Sequence, residues 1–170
     1  ASNGSLPPAY TVDEDGKPLL RWRVLILPEL EYGNLYRMFH LDEPWDSPHN
    51  LPLSEQVIEI YRSPQSNALP NMTTYLSIRD PQSMFPGSEG IHFARVTDGL
   101  SNTIMVLEAA DSEAVVWSKP DDYVPQLNEP GWEESLISPW INGTNILLGD
   151  GSVHLIEPDI LSEMFELLLD

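Results

Sequence analysis

Oxygen-bearing side chains crowd three stretches of this chain: residues 42–46, Asp121-Asp122, and residues 142–150. Calcium takes roughly six to eight oxygens from carboxylates, amides and backbone carbonyls. Asp42, Asp46, Asn145 and Asp150 are therefore the candidate ligands of a calcium ion. Asp13-x-Asp15-Gly16 has the opening of an EF-hand loop, but Lys17-Pro18 follows and no glutamate stands where that loop requires one. The same residues also make ordinary acidic turns, and composition is compatible with either reading.

Other chemistry finds less support. The histidines are His40, His49, His92 and His154, and no two have the i, i+4 spacing of a helical metal site. His40 and His49 flank an acidic loop, where they would either share a metal with Asp42 or Asp46 or be solvated. No Gly-x-Ser-x-Gly elbow is present. Ser101 follows Asp98-Gly99 in a turn with no base placed beside it. Glycine-rich phosphate motifs are missing too. A chain with 27 acidic residues always offers two that resemble a glycosidase pair, so such a pair carries no weight. The expectation is a protein that is not an enzyme. Trp132 and Trp140 belong to an acidic stretch rich in proline, glycine and tryptophan, residues 118–140. They are candidate anchors for a glycan or another solute; the alternative is packing in the core or anchoring of the loop.

Those residues need a scaffold, and composition bounds it. A chain of 170 residues with 41% apolar content builds one domain with a real core. Its net charge is -19, which repels nucleic acid and anionic lipid and attracts cations. With no cysteine, thiolate zinc sites and iron–sulfur clusters are excluded. No stretch approaches the roughly 20 apolar residues of a spanning helix. The chain starts at Ala1-Ser2-Asn3-Gly4, which suggests a fragment or mature form lacking a targeting or membrane segment.

Periodicity places the elements. Leu20, Val24, Leu27, Leu30, Leu35, Met38 and Phe39 recur at helical spacing, which predicts a helix over 20–39 with a kink or break at Pro28. Asn50 is a candidate cap for a short helix running from Leu51 to about residue 59. Residues 73–79 and 103–108 read as strands, the second central in its sheet, and Ala114–Trp117 as another. Apolar runs on both sides of Gly149-Asp150-Gly151 predict a hairpin. Residues 159–169 predict a short C-terminal helix. The sum is a single α+β domain over 1–170 with an antiparallel sheet.

Three blocks carry a resemblance: residues 5–28, residues 39–50 (FHLDEPWDSPHN) and residues 97–104 (TDGLSNTI). They resemble a large planctomycete family called domain of unknown function 1559. Its members are similar to prepilins, with a hydrophobic N-terminal helix followed by a globular head. The resemblance implies a pilin- or pseudopilin-like head, exported or surface-exposed and anchored by a helix this chain lacks. It further implies contacts with other pilin-like subunits or cell-envelope components, and a head that is monomeric in isolation. Residues 42–48 and 148–151 are similar to pseudopilin stretches near a calcium site, with Glu43 inserted and Asp46 standing where that pattern has glycine. Trp140 replaces a histidine common in the family, and Ser63-Pro64 replaces Cys-Pro, which removes a disulfide partner. The family has no established biochemical activity.

Overall fold

The fold opens on a hairpin whose turn is written in its residues. The computed structural model describes residues 4–125, 130, 132–138, 140, 143–157 and 160. Strands β1 (Tyr10–Val12) and β2 (Pro18–Arg21) pair antiparallel. The Asp13 carboxylate accepts from the backbone N–H groups of Asp15 (3.0 Å) and Lys17 (2.8 Å). Gly16 takes the left-handed conformation at φ +80°, which closes such a turn without steric cost.

The helix expected over residues 20–39 is not one helix. Leu20 and Arg21 belong to β2, and three separate turns follow: α1 (Trp22–Leu25), a 3₁₀ turn (Leu27–Leu30) and α2 (Gly33–Tyr36). Pro28 has no N–H to continue α1 and sits in the first turn of the 3₁₀ segment. Glu31, at φ +68°, then reverses the chain. The periodicity nonetheless marks the inward side chains: Leu20, Val24, Leu27, Leu35 and Phe39 are all buried. They join Leu53, Ile58, Tyr61 and Trp117 in one core cluster.

The helix expected from Leu51 also shortens, to the single turn α3 (Leu51–Ser54), with Glu59–Tyr61 as a separate 3₁₀ turn. Asn50 does not cap it with its side chain. Its amide instead donates to the carbonyls of His40 (2.9 Å), Glu43 (3.1 Å) and Pro44 (3.1 Å), and accepts from the His40 N–H (3.0 Å). One fully buried amide thus ties residues 40–50 into a compact loop.

Residues 73–79 serve two sheets rather than one. Strand β3 (Met72–Thr73) pairs with β6 (Val115–Val116), whereas β4 (Tyr75–Leu76) pairs with β5 (Ile104–Glu108). The main sheet is antiparallel throughout, in the order β4-β5-β7-β8, with β7 (Thr144–Leu148) and β8 (Val153–Ile156) forming the hairpin the sequence predicts. Strand β5 is internal, as expected. Leu76, Leu107 and Ile146 pack with Tyr123, Trp132 and Leu136 into a second core cluster. Ala9, Trp22, Met84, Phe85 and Val106 make a third. The chain is thus mixed α+β, built from short helical turns and small antiparallel sheets. The C-terminal helix expected at 159–169 lies outside the described residues except for Ile160.

Candidate functional site

Side chains alternate across a strand, so Val106 and Glu108 share a face of the sheet with Asn145 and Leu147 on the next strand. Tyr75 lies directly opposite Glu108, and Asn145 directly opposite Leu155, which makes a row across all four strands. Tyr75, Val106, Glu108, Asn145, Leu147 and Val153 line one side of a cavity of about 490 Å³. Trp22 from α1, Ile26 just after it, and Leu30, Ile60 and Tyr61 from the two 3₁₀ turns line the other. The lining is aliphatic and aromatic with few polar groups, the usual make-up of a ligand pocket of this size.

Glu108 is the exception in that lining. It is only 1% exposed, at the end of an otherwise apolar strand. The Trp140 indole N–H donates to both of its oxygens (3.0 and 2.9 Å), and the Asn145 amide donates to Oε2 (2.8 Å). No cation is within ion-pair distance among the described residues. Burial, reinforced by the Glu108 charge and opposed by a hydrogen bond with Ser63, raises the Tyr75 hydroxyl above its ordinary pKa. Burial raises Tyr61 further, and its hydroxyl donates to the Arg23 carbonyl (2.6 Å). Both phenols are therefore neutral at physiological pH.

The roof is fixed by a buried ion cluster. Arg21 and Arg23, on either side of Trp22, both pair with Asp122, the second at 2.5 Å. Asp122 also accepts from the Trp22 indole (3.2 Å), the Ser77 N–H (3.1 Å) and the Ser77 hydroxyl (2.5 Å). Arg23 reaches the Tyr75 carbonyl through Nε (3.1 Å) and Nη2 (2.8 Å), and lies over the Trp22 ring at 4.9 Å. Burial pulls both guanidinium groups down to about 9, helped by the charge of Arg79 on Arg21 and of Arg21 on Arg23. Both stay charged at neutral pH, two cations against one carboxylate.

The residues singled out from sequence have scattered roles. Asp42 and Asp46 are exposed in the 40–50 loop. That loop is organised instead by Asn50 and by Glu43, which accepts from the Ser47 hydroxyl (2.7 Å) and lies 2.9 Å from His40 Nδ1. His40 and His49 stack at 3.4 Å. Asp150 holds the β7–β8 turn through the Ser152 N–H (2.9 Å) and hydroxyl (2.7 Å). Among the described residues, no three histidines or carboxylates gather into a group that would hold a metal ion. Asn145 and Trp140 do come together, on Glu108. Trp132 is 7% exposed and packs in the core. Glu108 escaped notice in the sequence, although a lone acid closing a strand expected to be central was its available signal.

No curated protein and no solved structure matches this chain. A family model does, over residues 1–84 and again over 66–139, and its description is protein of unknown function DUF1559. The matched span includes α1, Tyr75, Glu108 and Asp122, so the cavity roof and two of the four sheet strands lie within it. The chain belongs to the DUF1559 family.

Proposed function

We propose that this chain is the non-enzymatic head of a pilin-like surface protein, and that its work is to bind a small solute in the cavity between the sheet face and the α1 roof. The cavity carries the solute reading: about 490 Å³ bounded mainly by apolar and aromatic side chains, with the Glu108 carboxyl group among them. Among the described residues Glu108 is held by an indole and an amide, neither of which exchanges a proton at neutral pH, which favours binding over turnover. The pilin-like reading is supported by the sequence blocks and by a head that layers short helices on an antiparallel sheet. Its subunit or envelope contacts belong to the same reading.

Ligand-observed NMR with small aromatic and aliphatic solutes tests the binding reading. The wild-type chain is expected to give saturation-transfer signals and a change in tryptophan fluorescence. Ile60→Trp, at a cavity residue that is 50% exposed, is expected to fill the mouth and remove both. A wild-type chain silent across the panel ends the reading. The pilin-like reading expects a monomeric head in size-exclusion chromatography with light scattering, and a tight oligomer counts against it.

A further inference from the structure

We infer that the cavity is a site for a small organic cation, an ammonium group on an apolar body, with Glu108 as its counter-ion. The inference rests on the solute-binding reading and names its ligand class. Its basis is a buried carboxylate that, among the described residues, has no partner of opposite charge. Glu108 is 1% exposed, and its hydrogen-bond donors are the neutral Trp140 indole and Asn145 amide. An ionised carboxylate removed from water costs free energy that neutral donors offset only in part. Arg23 borders the roof but is engaged by Asp122 and the Tyr75 carbonyl, not by Glu108. An ammonium ion brings both the missing charge and three N–H donors.

The surroundings choose among cations. A hard metal ion needs roughly six oxygens, and one carboxylate with one side-chain amide in an apolar wall falls far short. An organic cation needs one counter-ion and a surface for its hydrocarbon. Tyr75, Leu147 and Val106 flank Glu108 on the sheet, and Ile26, Leu30 and Tyr61 face them. The Tyr75 ring, directly opposite Glu108 in the strand register, adds an aromatic quadrupole that attracts positive charge. An anionic solute would meet the Glu108 charge and be repelled. The net charge of -19 draws cations toward the whole molecule.

Isothermal titration calorimetry on the full chain tests this, with alkyl- and aryl-ammonium ions of about four to ten carbons, each compared with the alcohol of the same skeleton. That range fits a cavity of this volume. At least one ammonium ion is expected to bind about tenfold or more tighter than its alcohol. Glu108→Gln keeps the shape and removes the charge, so it should bring the ammonium ion down to the level of the alcohol. Ile60→Lys, a half-exposed cavity residue where a charge is tolerated, provides a variant independent of any folding defect in the first. Its tethered ammonium should weaken the ammonium ligand more than the alcohol. Equal affinity for ammonium and alcohol, with no response to Glu108→Gln, overturns the cation assignment and leaves the solute-binding cavity standing. Binding of neither series overturns both.

Discussion

Replacing Asp122 with alanine strips the counter-ion from two buried arginines at once. In the native chain its two oxygens receive both guanidinium groups, the Trp22 indole, and the N–H and hydroxyl of Ser77. Arg21 and Arg23 are 1% and 0% exposed, so water cannot take over the lost contacts without opening the core. Breaking one buried ion pair by removing a partner costs about 3–5 kcal/mol. Asp122→Ala is expected at the upper end of that range, because it orphans two cations and an indole donor. For a chain of this length each kcal/mol lowers Tm by about 2–4 °C, so the drop should be roughly 10–20 °C. Urea denaturation followed by tryptophan fluorescence measures it, since Trp22 and Trp117 are both buried. Arg21→Met is the informative companion. It leaves one cation against one carboxylate, so that neither charge is orphaned, and fills the space with an apolar chain at the loss of the Arg21 hydrogen bond to Ser77. It should cost less than about 2 kcal/mol, and in its background Asp122→Ala should cost clearly less than in the wild type. A loss below about 1 kcal/mol for Asp122→Ala would refute the reasoning, because it would mean that the arginines are hydrated or already neutral.

Asn50→Ala should release the 40–50 loop, leaving the His40 N–H and three carbonyls without their partner; the expected cost is about 3 kcal/mol, read as a lower urea midpoint at unchanged slope. Glu43 has its pKa lowered first by the Ser47 hydroxyl and then by His40. Its contribution to loop order is therefore complete above the ordinary carboxylate pKa and is lost as pH falls through the lowered folded value. Ser47→Ala should move the Glu43 titration upward in carboxyl-detected NMR, and an unmoved curve would remove Ser47 as the cause.

How much of this was legible in the sequence varies with the range of the interaction. The β7–β8 hairpin, the internal position of β5 and the Asp13–Gly16 turn follow from local signals: alternation, glycine and a side chain bonding its own backbone. The helical spacing of residues 20–39 marked five of its seven apolar side chains as buried correctly, while Met38 is exposed and Leu30 half-buried, and it gave the conformation wrongly. Burial depends on which residues face inward, whereas helix continuity depends on a donor that Pro28 lacks. The split of residues 73–79 between two sheets was invisible, because it is set by partners more than 30 residues away in sequence, Val115–Val116 and Leu107–Glu108. The site was hidden for a related reason. Reading acids as loop ligands drew attention to Asp42 and Asp46, which stay at the surface, marked Asp122 only as part of an oxygen-rich loop, and passed over Glu108. A carboxylate matters most where water is scarce, and burial is a property of tertiary contacts.

Glu108 lines the cavity proposed as a solute site, and Asp122 holds its roof. Asp122 grips α1 through Arg23 and the indole of Trp22 and the end of β2 through Arg21, and Trp22 is part of the cavity roof. Arg23 carries the connection onward to the Tyr75 carbonyl, and Tyr75 pairs in register with Glu108. Roof and floor are thus joined through one strand residue and held by charge-assisted bonds, which are shorter and stronger than neutral ones. Moving α1 onto the sheet face would pull Arg23 and the Trp22 indole off Asp122. A preorganised pocket loses little on binding through ordering of its walls. In the cavity proposed as a solute site, Glu108 is the carboxylate that, among the described residues, has no cation within ion-pair distance.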